Sequence, residues 1–468
     1  MPLQGQTKTA EITTELQPHQ EAALRRALIR NIILAHSTGS GKTLTSIAIA
    51  DAIGKPTTVF TPASLVENYK KELRKHKKGG PPVDVISLPT AVLHNYEIPE
   101  GNTVIIDEAH SLRNANTARQ RYMKNQLRRA GRIIALTGTP AYNQIADWAP
   151  LVNMVAQDEV VPDDPQSFRS RYINEIEVAP TWWQRLMYGT KPGIVESLKN
   201  GRELKKRLSP YVDVFDAEIE KPQRIDEVIH TGMTPEQLRA YHLVQKNMPL
   251  GIWSKLVSNL PPSKAEARQL NAFLTGVRQV SNTPEGYDTK AHTGEKIKTA
   301  VSQLRKKMAE NPELRALVYS NFMESGIGSY AKQLDKLGIP YGMYTGDLTS
   351  AQKKELVDLY NSGKLPVLLA SGAGSEGLDL KGTRLIQLLE PHWNDSRLQQ
   401  VIGRGIRYKS HANLPKEDRN VLVQKYIADL PDRGYLFWKR PQTSVDNYLV
   451  SRAEEKDRLI REVKDILA

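Results

Sequence analysis

The residues best suited to chemistry in this 468-residue chain are a lysine and a threonine that follow two closely spaced glycines, in IILAHSTGSGKTLTSIAIADAI (residues 32–53). The apolar start reads as a buried strand, the Gly-rich turn follows, and the remainder has the character of a helix. Gly39 and Gly41 let backbone N–H groups approach phosphate oxygens, and the helix N-terminus favours negative charge. Thr38, Gly39, Ser40 and Gly41 then line a phosphate loop. Lys42 reaches the β/γ-phosphates and the Thr43 hydroxyl ligates Mg²⁺. The strict pattern G-x-x-x-x-G-K-[ST] fails at its first position, where His36 stands. The plain alternative is a structural glycine turn with a surface lysine.

A second candidate lies downstream, in TVIIDEAHSLRN (residues 103–114). A strand ending in Asp-Glu sets two carboxylates at the carboxyl edge of a parallel sheet, where nucleotides bind. Asp107 is suited to hold Mg²⁺ and Glu108 to polarise an attacking water. Alone, such a pair could equally cap a helix.

The order of the phosphate loop, DEAH and LTGTPAYN (residues 136–143) resembles the superfamily-two helicases, and the match runs along nearly the whole chain. LQPHQ (16–20) is similar to the upstream adenine-reading motif and implies that Gln20 contacts the base. TPASLVENYKKEL is similar to a motif in which Thr61 and Ser64 touch the nucleic-acid backbone. LTGTPAYN has the form of Swi/Snf-type translocases and implies that Thr137 and Thr139 couple ATP to DNA. MTPEQLRAY, LTGVRQVSNTP and GEKIKTAVSQL are similar to that branch's inter-lobe linker. ALVYSNF, YTGDLTSAQKKE, SGAGSEGLDL and EPHWND follow in the order of the second lobe. They imply DNA contacts at Ser320, Thr345, Gly374, Trp393 and Asn394, and a nucleotide contact at Gly377. QVIGRGIR fits Q-x-x-G-R-x-x-R, implying that Gln400 faces the nucleotide and that Arg404 and Arg407 reach the γ-phosphate when the lobes close. His110 would couple the DEAH box to the facing lobe through Gln400. RGIRYKSH and the carboxyl-terminal stretch look most like compact relatives from phages and large DNA viruses. One departure is KRLSPYVDVF, where Asp213 follows Val212 and many Swi/Snf proteins carry arginines.

The elements that must position these residues follow from pattern. Short β-branched runs alternate with helical periodicity at 30–140 (Ile32–Ala35, Thr57–Phe60, Thr103–Ile106, Arg132–Leu136) and again at 315–390 (Ala316–Ser320, Pro366–Ala370, Arg384–Leu389). The resulting expectation is an α/β chain with two RecA-like parallel-sheet lobes, a helical insertion between them and a C-terminal amphipathic helix. The boundaries are 1–157 for the ATP-binding lobe, 158–290 for the insertion, 291–441 for the second lobe and 442–468 for the closing helix.

Composition bounds the rest. There is no cysteine, which removes disulfides, thiolate metal sites and cysteine nucleophiles. The ten histidines show no HExxH spacing. The charge sum, 65 − 52 = +13, points to a polyanionic partner. No run of 18 apolar residues occurs and the amino terminus lacks a signal-like apolar segment, so no membrane partner is expected. KKELRKHKK (70–78) is either a phosphate-contacting patch or a solvated helix face. Trp182 and Trp183 either stack on bases or pack a small helical core. The expectation is a monomeric, cytoplasmic, DNA-stimulated ATPase that uses ATP and Mg²⁺ on duplex or branched DNA. If the source is a phage or virus, it acts in the host cytoplasm in replication, recombination or repair. The alternatives are a viral transcription-release motor, an RNA helicase, or a basic scaffold with a vestigial ATP site.

Overall fold

The computed structural model describes residues 13–37, 39–138, 145–215, 222–263, 266–287, 293–372, 378–392, 395–406, 410–432 and 442–467. Among the expected site residues, Thr38, Thr139, Gly374, Gly377, Trp393, Asn394 and Arg407 lie outside them. The chain divides into two units. One comprises residues 1–174, 198–219 and 459–468; the other comprises 175–197 and 220–458.

The first unit is built on six parallel strands: β1 (Ile32–His36), β2 (Thr57–Thr61), β3 (Val83–Ser87), β4 (Thr103–Ile106), β5 (Arg132–Thr137) and, after an excursion of the chain, β8 (Val212–Phe215). Their order is β3-β2-β4-β5-β1-β8, each neighbouring pair running parallel. Central strands of such a sheet are covered on both faces, and β1, β2 and β4 are buried at every position. The period of two is visible in what each residue meets. Ile33, Ala35, Phe60, Val104, Ile106, Ile133 and Ala135 join one core cluster. Ile32, Leu34, Val59, Ile105, Ile134 and Leu136 join the cluster on the other face. Helices α1 (Pro18–Ile29), α2 (Lys42–Ile53) and α3 (Val66–His76) belong to this unit. The apolar residues of α1 and α2, such as Ala23, Ala27, Ile47 and Ile49, fill the second cluster.

The second unit repeats the plan with β9 (Gln223–Thr231), β10 (Arg315–Ser320), β11 (Tyr341–Tyr344), β12 (Val367–Ser371), β13 (Thr383–Leu388) and β14 (Asn420–Ala428). The order is β11-β12-β10-β13-β14-β9, again parallel throughout. Alternate residues of β10, Ala316 and Val318 against Leu317 and Tyr319, supply the cores on its two faces.

The stretch 158–290 holds more than the helices read from sequence. A two-stranded sheet of β6 (Ile173–Val178) and β7 (Gly193–Leu198) lies in it, and β8 and β9 become edge strands of the two large sheets. Both edges are hard to read locally. Of these, β8 is four residues long, and β9 (QRIDEVIHT) is mostly exposed. The helices Pro235–Gln245, Leu250–Val257 and Glu266–Asn282 form a separate apolar cluster. Tyr241, Leu256, Leu274 and Val277 lie in it, with Val445, Tyr448 and Leu449 from the C-terminal helix. That helix is continuous from Val445 to Leu467, and the division between the units falls within it, after Arg458. Among the described residues no helix is long and apolar enough to cross a membrane.

Candidate nucleotide site

Parallel strands deliver their carboxyl ends to one edge of the first sheet, and the candidate residues sit there. The phosphate loop leaves β1 after His36 and enters α2 at Lys42. Gly41 has φ +79°, a left-handed conformation that disfavours a side chain, and a Cβ there would lie 2.5 Å from Gln20 Nε2. Gln20 is buried against the loop. Its Oε1 accepts from the Gln17 N–H at 2.9 Å, and its Nε2 lies 3.4 Å from the carbonyls of Ser40 and Gly41. Lys42 Nζ donates to the carbonyls of His36 at 2.8 Å and Ser37 at 3.1 Å, so the ammonium lies folded over the loop. Among the described residues, Ser40 Oγ is buried without a hydrogen-bond partner, inside a loop whose N–H groups surround a phosphate-sized space in related motifs.

Asp107 and Glu108 follow β4 directly. Asp107 accepts from the Glu108 N–H at 3.0 Å and from the Thr61 hydroxyl at 3.1 Å. Burial, and then the neighbouring Glu108 carboxylate, push the Asp107 pKa up to about 6; Thr61 and Lys42 work against the rise. Glu108 itself has φ 49°, a left-handed conformation that a non-glycine residue adopts at a cost. His110 Nδ1 lies 3.2 Å from Glu108 Oε2. Thr137 ends β5 and is buried.

Two expected backbone-contacting hydroxyls are turned inward. Thr61 is fully buried and spends its hydroxyl on Asp107, because its position at the end of β2, beside β4, aims it along the sheet edge. Ser320 is also fully buried. Its hydroxyl donates to Glu390, which lies two residues beyond the end of β13 and also accepts from Asn321 and Asn282. As placed, neither hydroxyl is open to a polynucleotide. Ser64 is exposed in the turn Ala63–Leu65, and Thr345 is buried just beyond β11.

In the second unit, Gln400 and Arg404 lie on the helix Asp395–Gly405, with Arg404 in its last turn. Burial raises the pKa of Tyr344, the last residue of β11, and the charge of Arg404 opposes the rise. Trp182 and Trp183 stack on one another at 4.2 Å and are 62% and 56% exposed, so the pair does not form a helical core.

Sequence reading missed the residues that grip the phosphate loop from behind. His36 Nε2 meets Asp213 Oδ2 at 2.7 Å, and Arg26 of α1 pairs with the other Asp213 oxygen. His19 stacks flat on Phe215, ring centres 3.8 Å apart, and its Nε2 lies 3.0 Å from the Ser40 carbonyl. The signals were the two departures, His36 and Asp213, which sit 177 residues apart in sequence and touch in space.

Comparison with known proteins completes the description. The model of the SNF2-related domain matches residues 83–286, and that of the helicase conserved C-terminal domain matches residues 295–409. A "Putative ATP-dependent RNA helicase" of Acanthamoeba polyphaga mimivirus is 30% identical over 451 residues, covering 94% of this chain and 93% of its own. A "Termination factor NPH-I homolog" of African swine fever virus is 26% identical, covering 94% of this chain and 75% of its own. Among solved structures, the Sulfolobus solfataricus SWI2/SNF2 ATPase core in complex with dsDNA covers 98% of this chain and 95% of its own, at 18% identity and a TM-score of 0.38.

Proposed function

This chain belongs to the SNF2-related helicases of superfamily two, and from that premise we propose that it is a nucleic-acid-stimulated ATPase that translocates on duplex or branched DNA. The helicase-family ATPase is the family's activity; the DNA substrate and the residue roles are our reading. One observation carries it. Lys42 and Thr43, at the start of α2, share a sheet edge with Asp107 and Glu108, at the end of β4.

The residues fit Mg²⁺. A buried Asp107 whose pKa is driven up by burial and by Glu108 belongs to a cluster short of positive charge. Among the described residues, no group of three or more His, Asp or Glu could hold a metal alone. Thr43 and Asp107 would therefore share the ion with nucleotide phosphates and water, the usual arrangement for this hard cation. When bound, it would neutralise negative charge on the nucleotide phosphates.

The chain's own residues do the remainder. The Gly39–Gly41 backbone and the α2 N-terminus cradle phosphate oxygens, and Lys42 swings from the His36 and Ser37 carbonyls to the γ-phosphate. Glu108 orients a water and takes its proton. Thr61 holds the Asp107 carboxylate through its hydroxyl. Arg404 and Arg407 act as finger residues, adding positive charge to the transferring phosphoryl group, which ties hydrolysis to lobe closure. His110, Thr137 and Thr139 couple that closure to the bound strand, with Gln400 facing the nucleotide. The net charge of +13 supports a polyanionic track. Relatives from large DNA viruses support a role beside viral replication, recombination or transcription proteins in a host cytoplasm.

A second reading has its own support. The mimivirus relative carries the name of an RNA helicase, and the swine fever virus relative that of a termination factor. Turnover measured with no nucleic acid, single-stranded DNA, duplex DNA, a four-way junction and RNA separates the two. Greatest stimulation by duplex or junction DNA is expected. Stimulation by RNA equal to or above that by DNA overturns the substrate.

A further inference from the structure

The phosphate loop of this chain begins with a histidine where the motif has a glycine, and the side chain of that histidine is engaged. His36 is fully buried at the end of β1, and its imidazole Nε2 bonds Asp213 Oδ2 at 2.7 Å. Asp213 stands on β8, which runs alongside β1 in the register Leu34↔Asp213 and His36↔Phe215 and extends to the loop, where the Ser37 N–H donates to the Phe215 carbonyl at 2.9 Å. The other Asp213 oxygen takes Arg26, whose second amino group also holds the carbonyls of Ser209 at 2.6 Å and Val212 at 3.0 Å. The acid is therefore fixed on its strand before it reaches the loop. The Phe215 ring lies edge-on to His36 at 5.6 Å and flat against His19.

We propose that Asp213 is a positioning residue for nucleotide binding: through His36 it pins the point at which the phosphate loop leaves β1, and so sets where the loop's N–H groups and Lys42 stand. A glycine at position 36 offers no side chain to hold. This chain instead has a long-range bond between a residue that departs from the general phosphate-loop pattern, His36, and one that departs from the Swi/Snf form, Asp213. The His36 carbonyl is itself an acceptor for Lys42 Nζ, so fixing His36 also fixes the resting place of the lysine. Burial opposes the Asp213 charge, but the bonds from His36 and Arg26 outweigh it and hold its carboxyl below the ordinary value. The acid is thus a permanent acceptor near neutral pH. The proposal rests on the loop being the ATP site.

The test is the dissociation constant of a fluorescent ATP analogue with Mg²⁺ and no nucleic acid, with thermal melting to check folding. Wild type is compared with Lys42→Ala, Asp213→Asn, His36→Gly and the double variant His36→Gly/Asp213→Asn. Asp213→Asn is expected to weaken binding roughly tenfold, the scale of a lost charge-assisted hydrogen bond. In the His36→Gly background the same change should cost under about twofold, because the partner is gone. KM for ATP should rise in Asp213→Asn while kcat stays within about threefold, a split that a general loss of folding does not produce. A second pair leaves Asp213 untouched: His36→Gln keeps an N–H donor and should retain affinity, whereas His36→Phe keeps a ring without the bond and should lose it. Wild-type affinity in Asp213→Asn, an equal loss in both backgrounds, or equal binding by the Gln and Phe variants overturns the proposal. If Lys42→Ala also binds as wild type, the ATP-site reading falls and takes the proposal with it; if Lys42→Ala alone loses binding, only the proposal falls.

Discussion

At the scale of single residues, direction matters as much as type. Thr61 was expected to touch a nucleic-acid backbone, and its hydroxyl instead donates to Asp107 at 3.1 Å from a fully buried position. Thr61→Val keeps the shape and removes the donor. It is expected to lower kcat by about tenfold or more, on the scale of one hydrogen bond to a charged group, with nucleic-acid affinity unchanged. A nucleic-acid Kd that rises while kcat holds would return Thr61 to the strand. Asp107 gives a pH prediction with a definite sign. Its folded pKa, about 6, lies above the unfolded carboxylate value, so the folded state binds more protons between the two. Ionised Asp107 therefore costs stability above about pH 6, and that cost is relieved as pH falls through 6. Denaturant unfolding without Mg²⁺ or nucleotide should show wild type gaining stability relative to Asp107→Asn between pH 7.5 and about 5, by roughly 1–3 kcal/mol. A difference that is flat with pH contradicts the assignment. Contiguous motifs made Lys42, Thr43, Asp107 and Glu108 legible from sequence. The partners of His36 and Ser320 were not, since Asp213 and Glu390 lie 177 and 70 residues away in the chain.

At the scale of elements, strands buried on both faces announced themselves by continuous apolar runs, and short or polar edges did not. The expected Ile32–Ala35, Thr103–Ile106 and Arg132–Leu136 correspond to β1, β4 and β5 within one residue. The strand β9 was hidden because six of its nine residues are exposed and polar residues fill it, and β8 because four residues carry little pattern. The C-terminal helix was legible, but not what anchors it. Lys296, on the helix Glu295–Glu310, is fully buried and pairs with the fully buried Asp446 at 2.5 Å; Asn282 Oδ1 accepts from the same ammonium at 3.1 Å. Asp446 also accepts the Ala428 N–H at the end of β14, so one carboxylate ties helix to sheet. Breaking such a pair strands a buried charge. Lys296→Met should cost about 3–5 kcal/mol in thermal or denaturant unfolding, and adding Asp446→Asn should recover part of the loss. A cost below about 1 kcal/mol would mean that the pair does not hold the helix.

At the scale of the whole molecule, the chain carries the same plan twice: six parallel strands with helices on both faces, the edge strand of each supplied from the segment between them. On the proposed reading the carboxyl edge of the first sheet takes the nucleotide, and the net charge of +13 suits a polyanionic track. Overall charge carries a prediction of its own. Binding that depends on phosphate contacts should weaken steeply between 50 and 200 mM salt, with a slope that counts the contacts. Affinity that is flat with salt would remove the polyanion from the account. The measurement that bears most directly on the central claim is steady-state ATP hydrolysis by wild type and Glu108→Gln, each with and without saturating duplex DNA. Wild-type turnover should rise at least about tenfold with DNA, and Glu108→Gln should lose turnover by about a hundredfold or more while still binding ATP. Unstimulated wild-type turnover, or a Glu108→Gln variant that hydrolyses ATP at the wild-type rate, would contradict the account of this chain as a nucleic-acid-driven ATPase built on that sheet edge.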